Sequence, residues 1–386
     1  MGQNPLEIQE LVDYCIGFIA NDTLNLITCA QVARSWVEAS QRNLFRSTDI
    51  TNPKLRMDDA TALKLNRALS SNTRLVTYIR SLSLSVGRTI HISASTFAKL
   101  CEHKFPRLQS LSIYVFTTLP KDHIKQLLGT PSLRSLTFYS TFRSSESSAT
   151  PLYHYLEDCA PTIQHIDLYH PWVNPEPQNP PGIPSIPVKS ARLLGSLISA
   201  GLYPFDLSQV KALGLGGNTA IPWNTIPSHL ITVLEIEAED EVDLSLFTNL
   251  EILRFTLMTS IEPAMITSLA KLSSSNRVRT ITFSYIPSVN EENDDIEEDE
   301  VELDFADLSN LDDVLSAIPS SSFSPPPTIE MEFLVMPKHN VDARIPKWDQ
   351  DMRASFPKVV SRGSFSFVVR RMREPLLMWQ ELVQKL

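Results

Sequence analysis

The chain has 386 residues, 42% hydrophobic and 20% charged, a balance that suits a folded protein and excludes a disordered one. Its formal charge is −10, but the run EENDDIEEDEVELD at 291–304 holds ten carboxylates and no Lys or Arg, so the remainder sums to zero. No broad basic face follows, which argues against nucleic acid as a partner, and RRMR at 370–373 reads as a solvated edge.

A chain this long implies two domains or one long repetitive one. Its four cysteines, at 15, 29, 101 and 159, show no C-x-x-C and no framework spacing, and Cys15 and Cys29 sit in apolar helical patterns as small hydrophobes. Reduced cysteines point to the cytoplasm, the nucleus or both. The start MGQNPLEIQE lacks the basic opening of a secretory signal, and Leu6 stands where an N-myristoylation motif needs Ser or Thr. No uncharged stretch is long enough to span a bilayer, so no membrane partner is expected.

In chain order, Asn4 caps a first helix, Pro5 suits its first turn, and Glu7 completes a capping box. Ile8, Leu11, Val12, Cys15 and Ile16 then line one face. Asp22 or Thr23 caps a second helix, LNLITCAQVARSWVEAS, which is apolar around nearly its whole circumference. Such a helix must be buried on all sides, and about fifty residues cannot supply that cover. Either the rest of the chain hides it or another protein does.

Residues 209–218, QVKALGLGGN, look at first like a phosphate-binding loop. The following TAIPWNTIP holds two prolines, where such a loop needs a helix, and no G-K-S/T appears. Val210, Leu213, Leu215 and Asn218 instead fit L-x-x-L-x-L-x-x-N, a leucine-rich unit, with its glycines read as turn residues. The pattern recurs with middle residues at 82, 111, 136, 166, 213, 234, 253 and 281, at intervals of 29, 25, 30, 47, 21, 19 and 28. The long interval coincides with PWVNPEPQNPPGIPSIP at 171–187, read as an inserted loop, and the acidic run reads as a second insertion. TIEMEFLV (328–335) and SFSFVV (364–369) are further candidate strands. Helices are expected over 57–71, 93–103, 121–129, 151–160, 189–201 and 263–274. Units too small to bury their own faces must stack, so the expected fold class is α/β: an irregular solenoid with parallel strands on its concave face and helices on its convex face. Ser83, Ser112, Thr137, Asp167, Gly214, Glu235, Arg254 and Thr282 should face outward from its strands, where solenoids commonly bind.

No residues call for catalysis. The eight histidines form no ligand spacing, and no P-loop or G-x-S-x-G occurs, so no metal, no cofactor and no enzymatic activity are expected. Tyr153, His154, Asp158 and Cys159 resemble a catalytic cluster by type alone. Tyr155, Leu156 and Cys159 fit a packed helix face.

One stretch carries a family resemblance. Pro5-Leu6-Glu7-Ile8, Asp22-Thr23-Leu24, Cys29, Val32-Ala33-Arg34-Ser35-Trp36 and Leu44-Phe45 resemble an F-box, over residues 4 to 50, about an eighth of the chain. The departure is Asn4, where the family usually has Leu. With leucine-rich units and Pro-rich and acidic insertions behind it, the layout is similar to fungal F-box proteins. The resemblance implies a three-helix domain at 1–50 before a repeat region at 51–386. It implies a substrate receptor that docks the Skp-family linker of an SCF-type cullin-RING ubiquitin ligase and holds a target protein on its repeats. Carried over position by position, Pro5, Ile8, Leu11, Val12, Ile16, Leu24, Val32 and Trp36 form or support the linker-docking surface. The alternative is a leucine-rich scaffold outside any ligase, with the helices capping the first coil.

Overall fold

The computed structural model describes residues 9–20, 22–50, 59–87, 92–115, 121–140, 155–156, 158–169, 185–194, 205–216, 226–237, 241–257, 262–272, 276–285, 308–318, 327–335, 344–363 and 365–371. The cap at Asn4, Pro5 and Ile8, most of the Pro-rich stretch, Asn218 and the acidic run 291–304 lie outside them. The fold is α/β, its strands pair in parallel, and the chain divides into two compact units. The first comprises Met1–Pro187 with Leu202–Asp206, the second Val188–Gly201 with Leu207–Leu386.

The first unit opens with helices α1 (Gln9–Phe18), α2 (Thr23–Val32) and α3 (Arg34–Leu44). Strands β1 (Ser47–Ile50), β2 (Ser81–Val86), β3 (Ser110–Val115), β4 (Ser135–Ser140) and β5 (His165–Tyr169) then lie side by side in chain order. Parallel neighbours need a crossover. Here α4 (Asp59–Ser71), α5 (Ala94–Cys101) and α6 (Lys121–Leu128) supply three of them. Each helix buries a narrow stripe. In α5 that stripe is Phe97, Leu100 and Cys101, and Ser93 caps the start by accepting from the Thr96 amide at 3.3 Å. Two-residue strands β6 (Ile186–Pro187) and β8 (Phe205–Asp206) pair separately.

In the second unit β7 (Ser190–Leu194), β9 (Ala212–Gly216), β10 (Val233–Glu237), β11 (Ile252–Leu257), β12 (Thr280–Tyr285), β13 (Thr328–Val335) and β14 (Phe365–Arg371) are neighbours in that order. Some crossovers shrink to single 3₁₀ turns, at Ser228–Leu230 and Leu244–Leu246. Others are helices: α7 (Pro263–Ala270), α8 (Leu308–Ala317), α9 (Ile345–Ser355) and α10 (Pro357–Ser361).

The apolar spacing read from the sequence sets the core of both units. Ile79, Leu82 and Leu84 are buried, and so are their counterparts in every unit recognised, through Val278, Ile281 and Phe283. Their middle residues stand in register, Leu82 beside Leu111, Leu136 and Ile166, and Leu213 beside Leu234, Leu253 and Ile281. A backbone hook repeats with them. One carbonyl just ahead of a strand accepts two successive amides from the head of the next, at 2.7–3.4 Å: Arg46, Arg80, Gln109 and Arg134 in the first unit, Lys189, Lys211, Thr232 and Glu251 in the second. Ser132 and Thr162 add side-chain bonds of 2.7 Å to the preceding unit's Leu108 and Leu133 carbonyls.

Two expectations are corrected. The helix over 189–201 is replaced by strand β7 at Ser190–Leu194, with residues 195–200 outside the described set. Val188, Ala191 and Leu193 are fully buried at the same spacing as the leucines elsewhere, and Ala191 pairs with Leu213. The 47-residue interval thus divides at Ala191 into 25 and 22 residues, and the prolines do not account for it by themselves. Nor are Gly214 and Gly216 turn residues. Both lie inside β9, buried, where missing side chains give neighbouring strands room.

Candidate docking surface

The sequence-predicted site lies on the first three helices. α1 turns Val12 and Ile16 inward, one helical turn apart. Asp22 caps α2, accepting from the Asn25 amide at 3.0 Å and from its side-chain nitrogen at 2.6 Å. The expected continuous second helix is interrupted. α2 ends at Val32, Ala33 is extended (φ −152°, ψ 151°), and α3 restarts at Arg34. The interruption divides the all-round apolar pattern between two helices, so that each can bury one side. Val12, Ile16, Leu26 and Ala39 form the centre, with Ile19, Cys29, Trp36 and Leu44 packed on it.

Polar ties orient the three helices. Arg42 on α3 donates to Asp13 on α1 at 2.8 Å, a hydrogen bond that raises the guanidinium's already high pKa. Glu38 lies 3.6 Å from Arg42 and also takes Arg74, whose guanidinium sits 5.9 Å over the Tyr78 ring. These groups are substantially solvated, so each pair contributes only about 0–1 kcal/mol. Their effect is to hold the helices against α4 and β2's approach, where Arg74 and Tyr78 stand.

A large apolar surface remains outside. Leu24 is 78% exposed, Phe18 74%, Tyr14 67%, Val32 64%, Leu11 45% and Ile27 44%. Leu11, Tyr14 and Phe18 follow helical i, i+3, i+7 spacing, and Tyr14 meets Phe18 edge to face at 4.8 Å. Fully covering side chains of this size stabilises by about 1.5–3 kcal/mol each. Several together are needed to offset the roughly 4–15 kcal/mol that association costs.

No protein-family model and no curated protein matches the chain.

The eight residues carried over from the resemblance thus fall into three groups. Leu11, Leu24 and Val32 are on the surface. Val12, Ile16 and half-buried Trp36 support it from beneath, and Pro5 and Ile8 lie outside the described residues. Tyr14, Phe18 and Ile27 were missed. Their signal was present, since Tyr14 and Phe18 continue the helical stripe from Leu11.

The strand face opposite the leucine core differs from expectation. Of the eight residues expected to face outward, only Ser83 is partly open, and the other seven are buried. In the second unit the reason is charge pairing. Arg192 reaches Glu235 with Nε at 2.9 Å and Nη2 at 2.8 Å. Arg254 lies 3.5 Å from Glu332, which accepts from Ser284 Oγ at 2.7 Å and meets Arg370 Nε at 2.5 Å. Arg370 also approaches Glu330 at 3.6 Å. Arg192 with Glu235 and Arg254 with Glu332 neutralise one another, which is how charge is tolerated in a dry site, while Arg370 and Glu330 stay partly open to water. The first unit's face is different in kind. It carries small hydroxyl side chains, and Tyr139 stacks on Tyr169 at 4.2 Å and meets Tyr114 at 5.8 Å.

The cluster that resembles a catalytic one by type packs instead. Tyr155 and Leu156 are buried, Tyr155 stacks on Phe138 at 5.9 Å, and desolvation pushes the Cys159 thiol far above its ordinary pKa. A nucleophilic cysteine needs the opposite shift. Tyr153 and His154 lie outside the described residues. Among the described residues no three of His, Cys, Asp and Glu come together to hold a metal, and no helix is long and apolar enough to cross a membrane.

Proposed function

We propose that this protein is a non-catalytic substrate receptor. Its first three helices act as an F-box that docks the Skp-family linker of an SCF-type cullin-RING ligase, and the units behind them hold a target protein. The mechanism is proximity: a bound target is kept at high effective concentration near the ubiquitin-charged enzyme. Such a receptor works in the cytoplasm or nucleus, without cofactor or metal.

The observation that carries the reading is the apolar surface of α1 and α2, with Leu24, Phe18 and Val32 each more than half exposed. A cap for the first coil would spend these side chains against its own chain, so the same exposures disfavour the scaffold alternative. The finer fold reading, a leucine-rich solenoid with strands on the concave side and helices on the convex, belongs to the proposal. It is supported by the repeated hook, the recurring buried triplets and the unit lengths that Ala191 restores. Co-purification from cells, with linker and cullin identified in the wild-type eluate and lost from that of Leu24→Asp, tests the ligase assignment.

A further inference from the structure

The last strand of the second unit is less well covered than the strands before it. Phe365, Phe367 and Val369 on β14 pair with Ile329, Met331 and Phe333 on β13, which pair in turn with Ile281, Phe283 and Tyr285 on β12. Ile281, Phe283 and the three β13 residues are at most 3% exposed, whereas the three on β14 are only half-buried. Each of the three is met from within the stack. The Phe333 ring lies 5.3 Å from Phe367, the Phe356 ring 5.5 Å from Phe365, and Trp348 on α9 packs against Phe367 and Val369. Among the described residues the strand order stops at β14, so no further unit covers their other side.

Residues 372–386, MREPLLMWQELVQKL, follow β14 directly and lie outside the described residues. Their sequence fits the open face in three respects. Pro375 suits the first turn of a helix. At about 3.6 residues per turn, Leu376, Met378, Trp379, Leu382, Val383 and Leu386 then fall on one side, and Gln380, Glu381, Gln384 and Lys385 on the other with Leu377. A helix over 375–386 would run about 18 Å, close to the roughly 23 Å of the seven-residue β14. Met372, Arg373 and Glu374 can span about 10 Å, enough to carry the chain from the strand to a helix lying against its core side. An isolated helix of this length is marginal in water, so its order depends on a surface to pack on.

We propose that residues 375–386 are an amphipathic helix docked on the core side of β14, its apolar side over Phe365, Phe367 and Val369 and beside Trp348. This segment is the occupant because its tether leaves from β14 itself and its apolar side matches the strand in length. Terminal units of stacked folds need a cover with a polar outer side, and Gln380, Glu381, Gln384 and Lys385 supply it. The inference lies beyond the receptor reading and holds whether or not the linker docks.

Hydrogen exchange on the full wild-type chain tests it without any variant: the amides of 376–386 should exchange about tenfold or more slower than in a free peptide of the same sequence. With p-benzoylphenylalanine in place of Trp379, irradiation should cross-link position 379 to 345–369 of the same chain. Trp379→Asp should speed exchange in β14 by about tenfold, and Gln380→Asp, on the polar side, should leave it unchanged. Exchange in 376–386 as fast as in the free peptide would overturn the proposal. So would cross-links to a second copy or to other parts of the chain, or β14 exchange that responds equally to the two substitutions or to neither.

Discussion

Arg192 on β7 holds Glu235 on β10 across the whole width of β9, and it does so by crossing Gly214. A Cβ on Gly214 would fall 2.7 Å from Arg192 Cγ and 3.3 Å from its Cβ, contacts too near the backbone for the side chain to swing clear. Gly214→Ala should therefore expel Arg192 and leave Glu235 buried without its cation. Breaking a buried pair costs about 3–5 kcal/mol. The gain of roughly 0.5–1 kcal/mol from replacing a strand glycine offsets only part of that. Urea unfolding should show the loss, and in an Arg192→Ala, Glu235→Leu background, which removes the Cγ that the new methyl would strike, the same glycine change should cost much less.

Asn276 offers a second, independent test. It is buried and donates its side-chain NH₂ to the carbonyls of Leu244 and Phe247, at 2.8 and 2.9 Å, closing a 3₁₀ turn in the unit before it. Asn276→Ala should cost about 1–3 kcal/mol from two lost hydrogen bonds, since both carbonyls keep a backbone amide, from Phe247 and Leu250. Asn276→Asp should be worse at neutral pH, since a carboxylate can only accept. Its folded pKa would be raised above the unfolded value of about 3.9 by burial beside carbonyls, so the relative stability of this variant should recover as pH falls toward 4 and be lost as pH rises.

Thiol chemistry separates the cysteines. Cys15 is exposed, while burial pushes the Cys101 and Cys159 thiols far up. With a maleimide at mildly alkaline pH, Cys15 should label within minutes and buried Cys101 only on denaturation. Labelling of Cys101 in the folded chain at the rate of Cys15 would contradict the packing of α5.

The leucine core was legible because its signal is purely apolar spacing. Ile79-x-x-Leu82-x-Leu84 and its counterparts place three side chains on one side of a strand entry, and burial follows directly. Strand β7 was less legible because Ala191 fills the middle position and SARLLGSL reads equally well as an amphipathic helix. Only the preceding Val188 reveals the register. Gly214 was misread for a deeper reason. Its role is set by Arg192, twenty-two residues away on the neighbouring strand, and no local pattern contains it. At the N-terminus the apolar excess was visible, but the break at Ala33 was not, since nothing at that alanine disfavours helix. Which apolar residues stay outside depends on that break.

The account rests most heavily on the exposed face of α1 and α2, and two neighbouring leucines test it. Leu24 is largely exposed, while Leu26 is 1% exposed at the centre of the three-helix core. Calorimetric titration of the purified Skp-family linker into the full chain, alongside melting curves, compares them. Leu24→Asp should melt within about 0.5 kcal/mol of wild type, as surface changes do, yet lose linker binding. Leu26→Asp should lose the helices and binding together. Wild-type chain that binds no linker, or a Leu24→Asp chain that binds as tightly as wild type, would contradict the account.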